Sequence, residues 1–543
     1  MQLEALELDI TIHNYINEIK INYEQQIKEL INNYEMNIKE LINNYETSIK
    51  ELQNEYLLVK EQLALLTYKK FGRSAEELKA DKSQPLLFTE EEAKAEEHKE
   101  KVEFTKVKSD KRNKKGGRKA IDARVERREE LRDIPEEEKI CACGAKLTRI
   151  GEETSEKLVI SPARIYVKKL VRIKYACRAC EGTKDKGKPT VRIMPPEPSI
   201  IPRSIVSPSL LSYIMIQKYE DHLPFFRQEK QFRRIGIRIS RQDMCNWQQK
   251  AYAKLSPLFM LLKEVIKTGP VIRMDETTVQ VMREEGRDGK QKSYMWLALG
   301  GPVDKKVALY EYKKTRAGEH AKKLLEGYGG YLQTDGYPGY DAAIKNMPQI
   351  IHVGCFAHAR RKFFEAAQVS EDSQTAKEGI EYFRPLYQIE KELGKEKDEG
   401  EKTVEEFLTE RKARVGPVLT DFKTWLLKHR ELVSPNLKLG KAIGYSLNQW
   451  DKLIAYLESP YLTPDNNACE NAIRPFVLGR KNWLFNQSPE GAKSSCGMYS
   501  LIETAKQNGL VPLDYLTVLF EKAPRASSKE DWEKLLPWNI ANS

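Results

Sequence analysis

The apolar positions of this chain follow one period near the start and another in the middle. Tyr23, Tyr34, Tyr45 and Tyr56 recur every eleven residues, and so do Ile27, Ile38, Ile49 and Leu30, Leu41, Leu52. Spacings of 4, 3 and 4 put these side chains on one helical face. Eleven residues over three turns is about 3.67 per turn, so the stripe runs nearly straight or slightly right-handed. The pattern predicts a coiled coil that brings copies of the chain together, the alternative being a lone solvated helix. Periodicity then lapses over 79–135, where Glu and Lys dominate and a charged flexible linker is expected.

From Val271 the period is two. VIRMDETTVQVM (271–282) reads as a strand carrying Asp275, either as a mid-strand acid or as the start of a turn. SYMWLALGG (293–301) and KVALYEY (306–312) are further strands, followed by a helix over 317–328 and a strand YLQTD (331–335). A short helix, a strand over 349–355 and a basic helix over 357–367 complete the series. Three antiparallel strands, then helix, strand, helix, strand, helix, is the ribonuclease-H-like order. In that order the first strand lies beside the end of the fourth, so Asp275 and Asp335 would face each other and could share divalent ions, whose oxygen preference suits Mg²⁺ or Mn²⁺.

Composition adds a partner. Among 543 residues, 91 Lys plus Arg against 80 Asp plus Glu give a net charge of +11, which favours a polyanion, nucleic acid first. No apolar run suffices for a membrane span, and an acidic start is unlike a secretory signal, so a cytoplasmic, nucleoid-associated protein without a membrane partner is expected. Of eight cysteines, four form the close pairs Cys141/Cys143 and Cys177/Cys180, separated by strand-like sequence. Two such pairs can converge on one structural Zn²⁺; free or redox-active thiols are the alternative.

Two helical segments carry further candidates. FFRQEKQFRRIGIRISRQDMCNWQQKAY (225–252) has helix-turn-helix spacing around Gly236 and Ser240, with Arg241, Gln242 and Asn246 on the polar face of the second helix. TPDNNACENAIRPFVLGRKNWLF (463–485) places Glu470 and Arg474 one turn apart on a helix capped by Asp465 or Asn466. That pair is either a surface ion pair or part of a site. The third carboxylate of a two-metal centre normally comes from such a later helix.

DET at Asp275, RAGEHA before LQTDGYPGY, GCFAHARRKF, and NNACENAIRPFVLGRKNWLF followed by YSLIETAKQNGL resemble the DDE transposases of the insertion-sequence-sixty-six family, over nearly the whole chain. The resemblance implies a catalytic triad of Asp275, Asp335 and Glu470 holding two Mg²⁺ or Mn²⁺ ions. The implied reaction is cleavage at the element's terminal inverted repeats and transfer of the 3′-hydroxyl to target DNA. His358, Arg360, Arg361, Lys362, Arg474, Arg480, Lys481 and Trp483 flank these acids and are expected to meet DNA. Small accessory proteins of the same element are possible partners. The expected architecture is multidomain α+β: coiled coil 1–78, linker 79–135, zinc-binding β domain 136–200, helix-turn-helix-like helical domain 201–265, ribonuclease-H-like catalytic domain 266–500 with a helical insertion at about 371–445, and helical tail 501–543. A nuclease that only hydrolyses, or a catalytically silent DNA-binding regulator, are the rival readings.

Overall fold

A computed structural model of the chain describes residues 2–71, 165–176, 191–193, 195–369, 374–400 and 402–540. Cys141, Cys143, Cys177, Cys180 and the expected linker lie outside the described residues. Two units are distinguished, 95–197 and the remainder. The described part of the first contains strand β1 (Lys174–Ala176) antiparallel to β2 (Val191–Ile193), with Tyr175 opposite Arg192.

In the larger unit, helix α1 spans Gln2–Phe71. At 1.5 Å per residue it is about 105 Å long. The described side chains from Ile12 to Leu57 are all exposed, including the whole Tyr/Ile/Leu stripe. Near its far end Leu58 and Glu61 are half-buried, and the Glu61 carboxylate accepts the Lys438 N–H at 3.0 Å, an anion set on a helix N-terminus. Among the described residues no helix is long and apolar enough to cross a membrane.

Four helices follow: α2 (Pro208–Tyr219), α3 (Phe225–Arg234), α4 (Arg241–Lys254) and α5 (Ser256–Val265). Gly236, at φ +82°, turns the chain between α3 and α4 in a conformation that costs other residues strain. Ser240 and Asp243 form a reciprocal capping box that fixes where α4 starts.

The central sheet has the order β5-β4-β3-β6-β7, built from β3 (Val271–Gln280), β4 (Lys292–Gly300), β5 (Val307–Lys313), β6 (Gly330–Gln333) and β7 (Ile350–Val353). The first three are antiparallel neighbours, while β3/β6 and β6/β7 are parallel. Helices α6 (Glu319–Leu325) and α7 (Pro338–Ile344) flank β6. The strand and helix order matches the expectation, and β3 runs to Gln280, so Asp275 stands mid-strand opposite Leu297.

After β7 come α8 (Phe356–Val369), α9 (Gln374–Glu381), α10 (Phe383–Asp398), α11 (Val404–Leu432) and α12 (Lys438–Asn448), then α13 (Asn467–Trp483), α14 (Pro489–Gln507) and α15 (Pro512–Lys522). Two cores result. One joins α2–α5, the sheet, α13, α14 and α15; the other joins β7, α8 and α10–α12. Strand β5 would be a bare edge, but Ser500 and Thr504 of α14 accept the N–H groups of Tyr310 and Ala308 at 2.8 and 3.1 Å. Those hydroxyls close the edge against further pairing.

Candidate active site

The parallel β3/β6 register sets Arg273 opposite Gln333, and two residues further along both chains stand Asp275 and Asp335. Asp275 Oδ1 accepts the Glu276 N–H at 2.8 Å. Asp335 lies two residues past the end of β6, and its Oδ1 accepts the Tyr337 N–H at 3.0 Å. The turn after it is tightly built. Thr334 Oγ1 meets His352 Nε2 at 2.8 Å, His352 Nδ1 meets Asp341 Oδ1 at 2.7 Å, and Lys452 Nζ donates to Asp341 Oδ2 at 2.8 Å. At Gly336 an added Cβ would lie 2.6 Å from the Tyr445 ring, so only glycine lets α12 close over this turn.

Glu470 sits in the first turn of α13, which a buttoned loop carries to the sheet. Arg273 Nη2 donates to the Tyr461 carbonyl at 2.9 Å, Gln333 Nε2 to the Thr463 carbonyl at 2.7 Å, and Asn466 Nδ2 to the Met274 carbonyl at 3.0 Å. Asn466 holds the N-cap position, yet Asp465 does the capping, its Oδ1 accepting the Asn467 N–H at 3.1 Å. The Asn466 side chain is thereby free to bind β3 beside Asp275.

The electrostatics is lopsided. Burial, then the charges of Glu276, Glu470 and Asp335, push the Asp275 carboxyl well above the usual carboxylate range, against one backbone N–H. The adjacent Glu276 differs. Its side chain is 1% exposed and receives Arg316 Nε at 2.5 Å and the Tyr340 hydroxyl. Burial still raises its pKa, opposed by Tyr340 and Arg316. Arg316 lies 3.9 Å over the Tyr337 ring and reaches Asp335 Oδ2 at 3.8 Å. Burial works against its charge, but Glu276 and Asp335 outweigh that and raise its pKa.

Around Glu470, His358 Nδ1 stands 3.6 Å from Oε1 and Arg361 Nη2 3.6 Å from Oε2. Burial lowers the His358 pKa, opposed by Glu470. The buried atoms Glu470 Oε1, His358 Nδ1, Asn466 Oδ1 and Asn471 Oδ1 have no hydrogen-bond partner among the described residues. Buried polar atoms are normally paired, so Glu470 Oε1 and His358 Nδ1, only 3.6 Å apart, mark a place where a ligand belongs.

Other expected residues fall in different surroundings. Lys362 Nζ lies 4.7 Å over the Tyr445 ring. Arg360 faces Tyr387 and Glu381, and burial lowers its pKa. Arg474 is half-buried one turn beyond Glu470, and Lys481 is exposed. Arg480 donates to Thr278 Oγ1 at 2.8 Å and to the Thr278 carbonyl, which ties α13 to β3. Trp483 packs against Tyr219 and Tyr499 with ring centroids 6.2 Å apart in both cases. Both side chains are engaged within the fold. Arg241, Gln242 and Asn246 are exposed on α4, with Gln242 Nε2 donating to Asn246 Oδ1 at 3.1 Å. The sequence gives Glu276, Arg316 and Tyr340 no site role and reads Asn466 only as a cap. Each nonetheless lies in a motif that carries the family resemblance: Glu276 in DET, Arg316 at the head of RAGEHA, Tyr340 at the end of LQTDGYPGY and Asn466 at the start of NNACENAIRPF.

Family comparisons agree along the chain. Residues 203–494 match the model described as the IS66 family of transposases, 138–181 the zinc-finger binding domain of transposase IS66, 500–538 the IS66 C-terminal element, and 58–129 the model described as transposase C of IS166 homeodomain. The zinc-finger match spans all four paired cysteines. Three uncharacterized proteins of Sinorhizobium fredii are similar: y4hP at 30% identity over 73% of this chain and 72% of its own length, y4jD at 31% over 75% and 79%, and y4qI at 32% over 78% and 77%. With the central match alone covering more than half of its residues, the chain belongs to the IS66 family of insertion-sequence transposases.

Proposed function

We propose that this transposase cuts DNA at the terminal inverted repeats of its element and joins the freed 3′-hydroxyl to target DNA, with Asp275, Asp335 and Glu470 as a metal-holding triad. The observation that carries the reading is the clustering of acids around Asp275 with too little cationic compensation, among them Glu470, whose buried Oε1 lacks a hydrogen-bond partner among the described residues. The strand order supports a ribonuclease-H-like catalytic core. The donor set fits Mg²⁺ or Mn²⁺, being all carboxylate oxygen, and Glu470 Oε1 is an orphan such an ion would satisfy. Two such ions, when bound, supply activation of the attacking oxygen and stabilisation of the leaving one.

The chain's own residues do the rest. Asp275 is offered from a rigid central strand, so its carboxylate is fixed before DNA arrives. The Thr334–His352–Asp341–Lys452 relay holds the Asp335 turn in place. His358 and Arg361 flank Glu470, and with Lys362 and Lys481 they would neutralise phosphates. Arg241, Gln242 and Asn246, exposed on the second helix of a helix-turn-helix, are suited to a DNA groove. The unpartnered stripe of α1 supports homo-oligomerisation through a coiled coil. Cys141, Cys143, Cys177 and Cys180 would hold a structural Zn²⁺, four thiolates leaving no open position for catalysis.

The test uses full-length protein with a labelled terminal repeat and Mg²⁺. Joined products alongside cleaved ends are expected. Cleavage without joining would favour a hydrolytic nuclease; binding without cleavage would favour a regulator.

A further inference from the structure

One buried group is not used by this reading. Cys355 is a free cysteine, fully buried between β7 and α8, within reach of the acid cluster. Its Sγ, one ring nitrogen of His358 and one carboxylate oxygen of Glu470 all lie within 4.8 Å of one another. We propose that Cys355, His358 and Glu470 form a site for a thiophilic divalent ion such as Zn²⁺, and that occupancy withdraws Glu470 from Asp275 and Asp335 and switches strand cleavage off. Binding stands on this geometry alone; the inhibitory consequence rests on Glu470 being catalytic.

The donors differ in kind from the triad. Sulfur, imidazole nitrogen and one carboxylate are a three-ligand zinc set with a fourth position left for water, whereas Mg²⁺ avoids sulfur. Zinc bond lengths of about 2.0–2.3 Å imply ligand separations of about 3.3–3.6 Å in a tetrahedron. His358 Nδ1 and Glu470 Oε1 already stand 3.6 Å apart, and both are buried without a hydrogen-bond partner among the described residues. The sulfur needs only a small approach.

Burial, then the charges of Asp465 and Glu470, push the Cys355 thiol up, opposed by backbone N–H groups, so a bound cation has to supply the stabilisation of its thiolate. Cys355 immediately precedes α8, and its carbonyl accepts the Ala359 N–H at 3.4 Å, so it occupies the cap of that helix. Its Sγ also accepts the N–H of Asn466, the N-cap residue of α13, at 3.3 Å. Two helix N-termini therefore present partial positive charge to one sulfur, an arrangement that favours the thiolate once a cation neutralises the nearby acids. Cys355 and His358, three apart at the start of α8, project to the same side. On binding, the thiol proton passes to solvent and the sulfur–metal bond forms with no redox change.

The experiment titrates full-length protein, its other cysteines intact, with Co²⁺ and reads the sulfur-to-cobalt charge-transfer absorption. Any signal from Cys141, Cys143, Cys177 and Cys180 is common to all variants and cancels in the difference between wild type and Cys355→Ser. One extra Co²⁺ per wild-type chain, with a thiolate band in the difference spectrum, is expected. His358→Gln, which keeps the sulfur, should weaken that site by at least about tenfold. Should Cys355→Ser not fold, the His358→Gln comparison decides the matter. Identical stoichiometry and spectra in wild type and the folded variants overturn the site. In millimolar Mg²⁺, Zn²⁺ should slow end cleavage, and the half-inhibiting concentration should rise at least about tenfold in Cys355→Ser, each rate divided by that variant's own zinc-free rate. A cobalt band without zinc inhibition of wild type overturns the switch, and the fault then lies with the catalytic assignment of Glu470.

Discussion

The protein buries two charged clusters on either side of one loop, and they are built on opposite principles. In the helical insertion, Arg411 is 1% exposed and saturated. Nε and Nη2 grip Glu390 at 2.8 and 2.6 Å, Nη1 donates to the carbonyls of Tyr456 and Ser459, and Nη2 to that of Leu462. At the acid cluster, Asp275 has one backbone N–H and three acidic neighbours, and Glu470 Oε1 has no hydrogen-bond partner among the described residues. A satisfied polar network rigidifies a fold; an unsatisfied one costs stability and persists where a ligand completes it. The clusters are linked, because Arg411 anchors 456–462 and the next residues of the same segment button α13 to the sheet beside Asp275.

Neutralising the unsatisfied cluster should produce the largest effect. Asp275→Asn or Glu470→Gln is expected to lower metal-dependent cleavage by at least about a thousandfold, roughly 4 kcal/mol of barrier. Stability of Asp275→Asn without metal should hold or rise. An acid whose pKa is raised by folding destabilises the folded state above its unfolded pKa, so removing its charge removes that cost at neutral pH. Mg²⁺ should raise the melting temperature of wild type and not of the variants. A melt in which Asp275→Asn falls sharply would mean that Asp275 is held as tightly as Arg411.

The saturated cluster should respond the other way. Arg411→Met leaves Glu390 and three carbonyls buried without their donor, which is expected to cost about 3–5 kcal/mol in denaturant unfolding. Adding Glu390→Gln should recover part of that loss, because the uncompensated charge goes with it. Since the loop positions α13, cleavage by the folded fraction of Arg411→Met should fall as well. Unchanged cleavage would separate the two clusters.

This contrast also marks what the sequence could convey. Period two made β3 legible, the turn at Gly236 and the cap at Ser240 announced α4, and the strand order set Asp275 beside the Asp335 position. These are local or nearest-neighbour signals. Arg411 sits in a charged stretch that reads only as a helical insertion, because its burial depends on carbonyls presented by a distant loop. The ties of Arg480 to Thr278 and of Trp483 to Tyr219 and Tyr499 were illegible for a like reason: a basic-aromatic run does not say which of its side chains the fold engages. Helices α2–α5 read as a separate domain, yet they share a core with the sheet through α14, where Tyr219 and Gln248 meet Ser495 and Ser494. Asn466 looked like a cap and instead binds β3, a choice fixed only once helix and strand meet.

Arg316 lies between the two extremes, and its loss should have an intermediate effect. It pairs with Glu276 and reaches Asp335 at 3.8 Å, so it is a positioning residue that limits negative charge in the site. Arg316→Gln should reduce the rate at saturating Mg²⁺ by about tenfold, while tightening the apparent Mg²⁺ requirement because the acids are left more negative. Loss of rate with an unchanged metal requirement would reduce Arg316 to a packing role.

The smallest effect is expected at Asp341, whose network is saturated but half-open to water. Hydrogen bonds from His352, then Lys452, with both charges helping against burial, depress its carboxyl to about 2. A depressed acid stabilises the fold above its unfolded pKa of about 3.9 and loses that contribution as pH falls through the folded value. Its side chain is 44% exposed, so solvent screening keeps the contribution below about 1 kcal/mol. Asp341→Asn should thus melt slightly lower than wild type at pH 7, with the difference shrinking between about pH 4 and pH 2. Because Asp341 orients His352 against Thr334, next to Asp335, the same substitution should cost a few-fold in cleavage rate at neutral pH. A stability loss of that size with no loss of rate would show that the relay supports the fold without tuning the Asp335 turn, and would move it from the side of the acids to the side of Arg411.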